Sequence, residues 1–287
     1  MKAHADRHPA NAEGDWYIDR RCIDCGASPA VAPGLIVRRG GQSVFDHQPA
    51  SVAETEAAWR AMLVCPTASV RRVSGGSPPT GLYPEELAPG VYRCGYNAAS
   101  SYGAHSYLIV RSGGNVLIDA PRWTRHVADF VRGRGGLDHI FLTHRDDVAD
   151  AHKYAHSFEA DVWIHERDSD AAPYAKRLVR GTSVAEPAPG WQAIPVPGHT
   201  AGSTAYLLEG AYLFTGDSLA WSDSRQRLSA FRDACWYSWS EQTLSLEHLL
   251  SFDFEWVLAG HGGSIHLPRE RLRAELEALL RWMATVP

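Results

Sequence analysis

The chain has 287 residues, 45% of them hydrophobic and 21% charged, with a net charge of −5. That length and composition support one large domain or two smaller ones with a full core. The mild negative charge excludes a general attraction to nucleic acid or anionic membrane.

Residues 1–14 are polar and are expected to be disordered. They contain no apolar signal core, and no apolar run in the chain approaches the ~20 residues of a membrane span. A cytoplasmic protein is therefore expected. The five cysteines (Cys22, Cys25, Cys65, Cys94 and Cys235) are odd in number and irregular in spacing, which argues against a disulfide framework.

Cys22 and Cys25 form C-x-x-C, and Cys65 follows much later in Cys65-Pro66. A C-x-x-C-x-x-C run with a distant Cys-Pro is how four thiolates hold a four-iron cluster. Residues 15–75 accordingly resemble a single-cluster ferredoxin domain, a small α+β unit. The third loop position, however, is Ser28, a hydroxyl where a soft thiolate is needed. Three outcomes follow. The domain keeps its fold without a cluster, it holds a labile or three-iron cluster on Cys22, Cys25 and Cys65, or these are buried thiols or ligands of another metal. The run Val52–Val64 has helical spacing and delivers Cys65 at its end. Residues 73–90 are rich in Gly, Pro and Ser, so a linker is expected over 76–88, with the larger domain spanning 89–287.

Beyond Gly90, strands and helices alternate. Strands are expected at Val91–Tyr96, Ser106–Val110 and, after a Gly113-Gly114-Asn115 turn, Val116–Asp119. Helices are expected at Thr124–Val131, Asp150–Phe158, Glu241–Ser251 and Arg269–Met283, with further strands at Ile140–Leu142, Val162–Ile164, Ala205–Leu208, Tyr212–Phe214 and Trp256–Leu258. Three apolar runs end in chemistry: Ile140–Thr143 in His144, Ala211–Gly216 in Asp217, and Trp256–Gly260 in His261. His199 stands in Pro-Gly-His-Thr-Ala-Gly-Ser, a turn too rich in Gly and Pro for a strand interior. A lone strand-end His or Asp is commonly a cap. Four in series make a metal site from His and Asp donors.

The order Thr-His-x-Asp, Pro-Gly-His-Thr-x-Gly-Ser, Thr-Gly-Asp, Gly-His resembles the metallo-β-lactamase-fold superfamily over residues 88–287. The resemblance implies an α/β (α+β) fold, a four-layer αββα sandwich of two sheets flanked by helices. It also implies an H-x-H-x-D-H loop and two metal positions. On that pattern His144 and His199 hold the first ion, with Asp146 in place of the second loop His and Asp147 competing for that role. Asp150, displaced by two residues, and His261 hold the second ion. Ala151 falls where a His is expected, and His152 comes one residue late. Asp217 bridges the ions. Replacing an imidazole by a carboxylate hardens the site, so one or two ions of zinc, iron or manganese all suit it. It also resembles the superfamily's diiron branch.

The leading reading is a metal-dependent hydrolase acting on a small-molecule ester, thioester, lactone or phosphoester, with Asp150 orienting the metal-activated water and accepting its proton. Two alternatives stand beside it. One is a diiron oxidoreductase acting on O₂, NO or a small organic molecule, coupled to the ferredoxin-like domain and a redox partner protein. The other is a degenerate metal-binding member without catalysis. Trp221, Trp236 and Trp239 are expected to pack in the core rather than line a pocket.

Overall fold

The computed structural model describes residues 6–286. In its N-terminal part β1 (Trp16–Ile18), α1 (Ala27–Val31), β2 (Ile36–Arg39), β3 (Gln42–Phe45), α2 (Val52–Val64) and β4 (Val70–Arg72) follow one another. β1 pairs antiparallel with β4, and β2 with β3. The start of α2 is fixed by Ser51, whose hydroxyl accepts from Glu54 N (3.1 Å), while Glu54 accepts from Ala50 N (2.7 Å). That exchange satisfies backbone donors left free at a helix start. One face of α2 buries Ala58, Trp59 and Ala61 against Trp16, Ile18 and Phe45.

Residues 6–14 are packed, contrary to the disorder expected there. Asn11 is buried, and its amide nitrogen donates to the carbonyls of His8 (2.7 Å) and Ile18 (2.8 Å). Its oxygen accepts from the amides of Ile18 (2.9 Å) and Phe45 (3.0 Å). Three of these bonds tie the segment to β1 and β3, which its polar composition does not reveal. Residues 1–5 lie outside the described residues.

The segment expected as linker ends in β5 (Glu85–Ala88), which turns at Gly90 into β6 (Val91–Arg93). Then come β7 (Tyr107–Ile109), β8 (Val116–Ile118), α3 (Arg125–Gly133), β9 (His139–Phe141), α4 (Ala151–Phe158), β10 (Asp161–His165) and β11 (Arg177–Val179). Their strands form a seven-stranded sheet in the order β11-β10-β9-β8-β7-β6-β5. The chain continues through β12 (Trp191–Pro195), β13 (Thr204–Leu208), β14 (Tyr212–Gly216), β15 (Ala220–Ser222), β16 (Arg227–Ser229), α5 (Trp239–His248), β17 (Trp256–Ala259), β18 (Ile265–His266) and α6 (Arg269–Met283). A second, five-stranded sheet has the order β12-β13-β14-β17-β18.

Period-two alternation sorts side chains between layers. Tyr107, Ile109, Phe141, Tyr206, Phe214 and Leu258 fill the space between the two sheets. On the other face of the first sheet, Leu108, Leu117 and Ile140 pack against Val127 and Val131 of α3 and Tyr154 of α4. Leu207, Leu213 and Val257 of the second sheet pack against Leu246 of α5 and Leu272 and Leu276 of α6. The result is an αββα sandwich. β14 and β17 run parallel, so their C-terminal ends meet at one edge. Among the described residues no helix is long and apolar enough to cross a membrane.

Candidate metal centre

His144 lies three residues past the end of β9, and Asp119, just beyond β8, fixes its orientation. Asp119 accepts from Thr143 N (2.8 Å) and from the Thr143 hydroxyl (2.9 Å). That hydroxyl, its proton committed, accepts from His144 Nδ1–H at 3.0 Å. His144 is left with Nε2 facing inward. Burial holds its pKa down at about 4 and pushes the Asp119 carboxyl up to about 7.

His199 stands in the turn between β12 and β13. Its Nδ1–H donates to Ala234 O at 2.5 Å, again leaving Nε2 free. Buried Asp168 clamps this turn: it accepts from the Thr200 hydroxyl (2.6 Å) and Gly202 N (3.1 Å), and also from Arg145 N (3.1 Å). One carboxylate thus ties the His199 turn to the loop after His144.

Asp217 leaves β14 and His261 leaves β17. Their approach requires Gly260, because a Cβ there would lie 2.9 Å from oxygens of both Asp147 and Asp217. His261 Nδ1 faces Asp217 at 2.8 and 2.9 Å, and His261 Nε2 faces Tyr102 O at 3.3 Å. In the 3-10 turn Arg145–Asp147, Asp147 points inward and is buried. Asp146 is half exposed, with an oxygen 3.4 Å from His199 Nε2.

Two donor sets result, each with its atoms within 4.8 Å of one another: His144, His199 and Asp217, and then Asp147, Asp217 and His261. Asp217 belongs to both, and Asp146 stands at the rim of the first. Despite burial, His261, His144 and His199 hold the Asp217 carboxyl far below the usual range. Burial, with the charge of Asp217 beside it, pushes the Asp147 carboxyl well above that range. Asp217 and Asp146 outweigh burial at His199, and Asp217 outweighs it at His261, so both imidazoles are raised.

The structure does not bring Asp150 or His152 into this centre. Asp150 sits at the start of α4, accepts from Trp123 N (2.7 Å) and pairs with Lys153 Nζ (2.8 Å). His152 is exposed, its ring 6.0 Å from that of Tyr174. The physical reason is the tight turn Arg145–Asp147, which presents a carboxylate one residue earlier than the H-x-H-x-D spacing provides. The carboxylate of the second set is Asp147, which the sequence reading weighed only for the first. Asp119 and Asp168 were missed. Asp119 carries the strand-end pattern of the other site residues, whereas Asp168 has no signal in its neighbours.

In the N-terminal part, Cys22 and Cys25 lie in the loop between β1 and α1, and Cys65 caps α2. Backbone amides point at sulfur, Asp24 N at Cys22 Sγ (3.4 Å) and Ser69 N at Cys65 Sγ (3.1 Å). Burial first, then the neighbouring Cys65 and Cys22, push the Cys25 thiol up to about 12. Ser28 is buried on α1 and its hydroxyl donates to Ala61 O (3.4 Å).

The profile of the metallo-beta-lactamase superfamily matches residues 88–280. The chain belongs to that superfamily. The profile of the 4Fe-4S single cluster domain of ferredoxin I matches residues 18–72. The fold is similar to solved structures of a metallo-beta-lactamase from Hirschia baltica (15% identity, 68% of this chain and 96% of that one, TM-score 0.54) and one from Erythrobacter litoralis (16%, 70% and 92%, TM-score 0.53). It is also similar to a metallo-beta-lactamase family protein from Thermus thermophilus (20% identity, 70% and 81%, TM-score 0.51). No curated protein matches the sequence.

Metal ions of the superfamily fit the residues present. Nε2 of His144, Nε2 of His199 and both oxygens of Asp147 are buried without a hydrogen-bond partner. Buried polar atoms are normally satisfied, and here they converge on the same two sets. An all-thiolate four-iron cluster does not fit the ferredoxin-like domain. Cys22, Cys25 and Cys65 supply three thiols, and the fourth position of the motif carries Ser28, whose hydroxyl donates to Ala61 O.

Proposed function

We propose that this chain is a hydrolase that uses one or two metal ions to activate water against a small-molecule ester, thioester, lactone or phosphoester. The observation that carries the reading is the gathering of His144, His199 and Asp147, each with unpartnered buried donor atoms, around Asp217. His144, His199 and Asp217, with Asp146 beside them, would hold one ion, and Asp147, Asp217 and His261 the other. Bound there, an ion supplies a water of near-neutral pKa and a Lewis acid for the carbonyl or phosphoryl oxygen. The protein's own part is orientation. Asp119 acts through Thr143 to present His144 Nε2, Ala234 O presents His199 Nε2, and Asp168 keeps the two loops in register. Asp146 is ionised at neutral pH, because His199 holds its carboxyl below the usual range, and its half-exposed position faces incoming solvent. It is the carboxylate placed to take a proton from water, the role expected of Asp150 from the sequence. The mix of imidazole and carboxylate donors suits zinc, iron or manganese.

The test is hydrolysis of a thioester, lactone and phosphoester panel by protein reconstituted with each metal, beside Asp217→Ala. Asp217 serves both donor sets, so Asp217→Ala should lower turnover by at least about 100-fold, the upper end of what losing a group that only orients a ligand costs. Turnover that survives both Asp217→Ala and chelation would sink the hydrolase. A second reading, an iron oxidoreductase, is favoured by one contact: the cysteine loop touches the segment that carries Tyr102, which borders His261. Iron-loaded protein that shows reversible reduction without hydrolytic turnover would put that reading first.

A further inference from the structure

We propose that the thiol site of the ferredoxin-like domain and the second metal position, formed by Asp147, Asp217 and His261, are energetically linked through Tyr102 and Gly103. The proposal rests on the metal-centre reading above. Its basis is a short strap that touches both sites. Tyr102 has left-handed backbone (φ 50) after the 3-10 turn Ala99–Ser101, and its carbonyl accepts from His261 Nε2–H at 3.3 Å. With Nε2–H committed to the Tyr102 carbonyl, Nδ1 is turned toward Asp217 and the metal position, and it donates to the Asp217 carboxylate, a proton that an ion there would displace. Tyr102 is 54% exposed, yet its hydroxyl donates to the carbonyl of Ile23, between Cys22 and Cys25. Gly103 follows with φ 91, and a Cβ on it would lie 2.8 Å from Cys25 Sγ and 3.0 Å from Pro66 Cγ. No larger residue fits between the strap and the thiol. Two residues further on, His105 N donates to Gly260 O at 2.7 Å, beside His261.

The strap therefore rests on the cysteine loop with one side and holds His261 with the other. A change at the thiols that shifts the loop shifts the Tyr102 carbonyl, and with it the orientation of a metal-ligating imidazole. Groups that orient such a His through its other ring nitrogen commonly change metal affinity by about 10–100-fold. His144 and His199 take their orientation from Thr143 and Ala234, away from this strap. The linkage is thus specific to the second position, and by thermodynamic reciprocity occupancy there acts back on the thiols.

The test is titration of the full chain with cobalt(II), read by visible ligand-field absorption, with sulfur-to-metal charge transfer marking any cobalt that goes to cysteine. Wild type, Tyr102→Phe and Cys25→Ala are compared, with thermal melting as the check on folding. Tyr102→Phe keeps the ring and removes the tether to Ile23. The expected result is two binding steps in wild type, with the second weakened about 10-fold in both variants and the first unmoved. Equal second steps in all three proteins overturn the linkage and leave the metal centre standing. A wild type that binds one cobalt or none outside the cysteines removes the second position and the linkage together, and none at all removes the metal-centre reading as well.

Discussion

At the scale of single residues, the centre sets two carboxyls of opposite character against each other. Asp217 stays ionised among three imidazoles, while Asp147, buried beside it, is pushed well above the usual carboxylate range. A raised carboxyl pKa means that the folded protein holds the proton there to higher pH than a free carboxyl does. An ion that takes Asp147 as ligand must expel it, so affinity rises with pH up to that raised pKa and falls in acid. Calorimetric titration in two buffers of different ionisation heat, run below the pH at which the Asp147 carboxyl ionises, should show about one proton fewer released per chain by Asp147→Asn than by wild type, with weaker binding of the second ion. An unchanged proton count would remove Asp147 from the ligand set. Asp150→Asn, by contrast, should leave metal stoichiometry intact. Its cost is the charge behind the bond from Trp123 N and the pair with Lys153, about 1–2 kcal/mol of stability.

At the scale of elements, the His199 turn is held from below by α5 as well as by Asp168. Gly198 meets the helix directly: a Cβ on it would lie 2.2 Å from Gln242 Cβ and 2.5 Å from its Cα. The helix cannot easily retreat, because Gln242 Nε2 donates to Ser218 O (2.9 Å) and the Ser245 hydroxyl to Pro197 O (2.7 Å). Gly198→Ala should therefore cost about 1–3 kcal/mol in urea unfolding, the usual scale of overpacking. It should also weaken the first metal position. Stability and metal affinity both at wild-type level would mean that α5 does not position the turn. The tryptophans of this region divide as well. Trp221 is buried in the core, while Trp236 is exposed, its amide donating to His199 O (3.0 Å) and its ring 6.3 Å from that of His199.

At the scale of the whole molecule, the centre exists because two sheets face each other across one core. β9 contributes the loop of His144 from the first sheet, and β14 and β17 contribute Asp217 and His261 from the second. Phe141 joins the sheets: fully buried, it stacks on Tyr206 (4.9 Å between ring centroids) and meets Trp191 edge-on (5.2 Å). Phe141→Ala should cost about 3–5 kcal/mol, read as a shift in the urea midpoint. A loss below about 1 kcal/mol would mean that the site repacks freely. The ferredoxin-like domain joins the same body through the Tyr102–Gly103 strap and an ion pair between Arg60 of α2 and Glu85 of β5 at 3.3 Å.

Much of this was legible in the chain itself. Alternating apolar runs predict most strands, and the spacing over Val52–Val64 and Arg269–Met283 predicts two helices with the bounds observed. His144, His199, Asp217 and His261 announce themselves because a strand end or a Gly-rich turn is a local feature. β5 was hidden because Glu85–Ala88 lacks β-branched residues, and the order of residues 6–14 was hidden because it rests on one buried Asn and on backbone bonds to Ile18 and Phe45. The loop after His144 is where local reading failed. Asp146, Asp147 and Asp150 are chemically alike, and spacing alone could not rank them. The tertiary structure decided among them because the inward turn at Asp147 depends on the room left by Gly260 and the clamp from Asp168, residues distant in sequence. The contact between the cysteine loop and His261 is of the same kind. It is made by Tyr102, which lies far from both along the chain, so only folding places the two sites side by side.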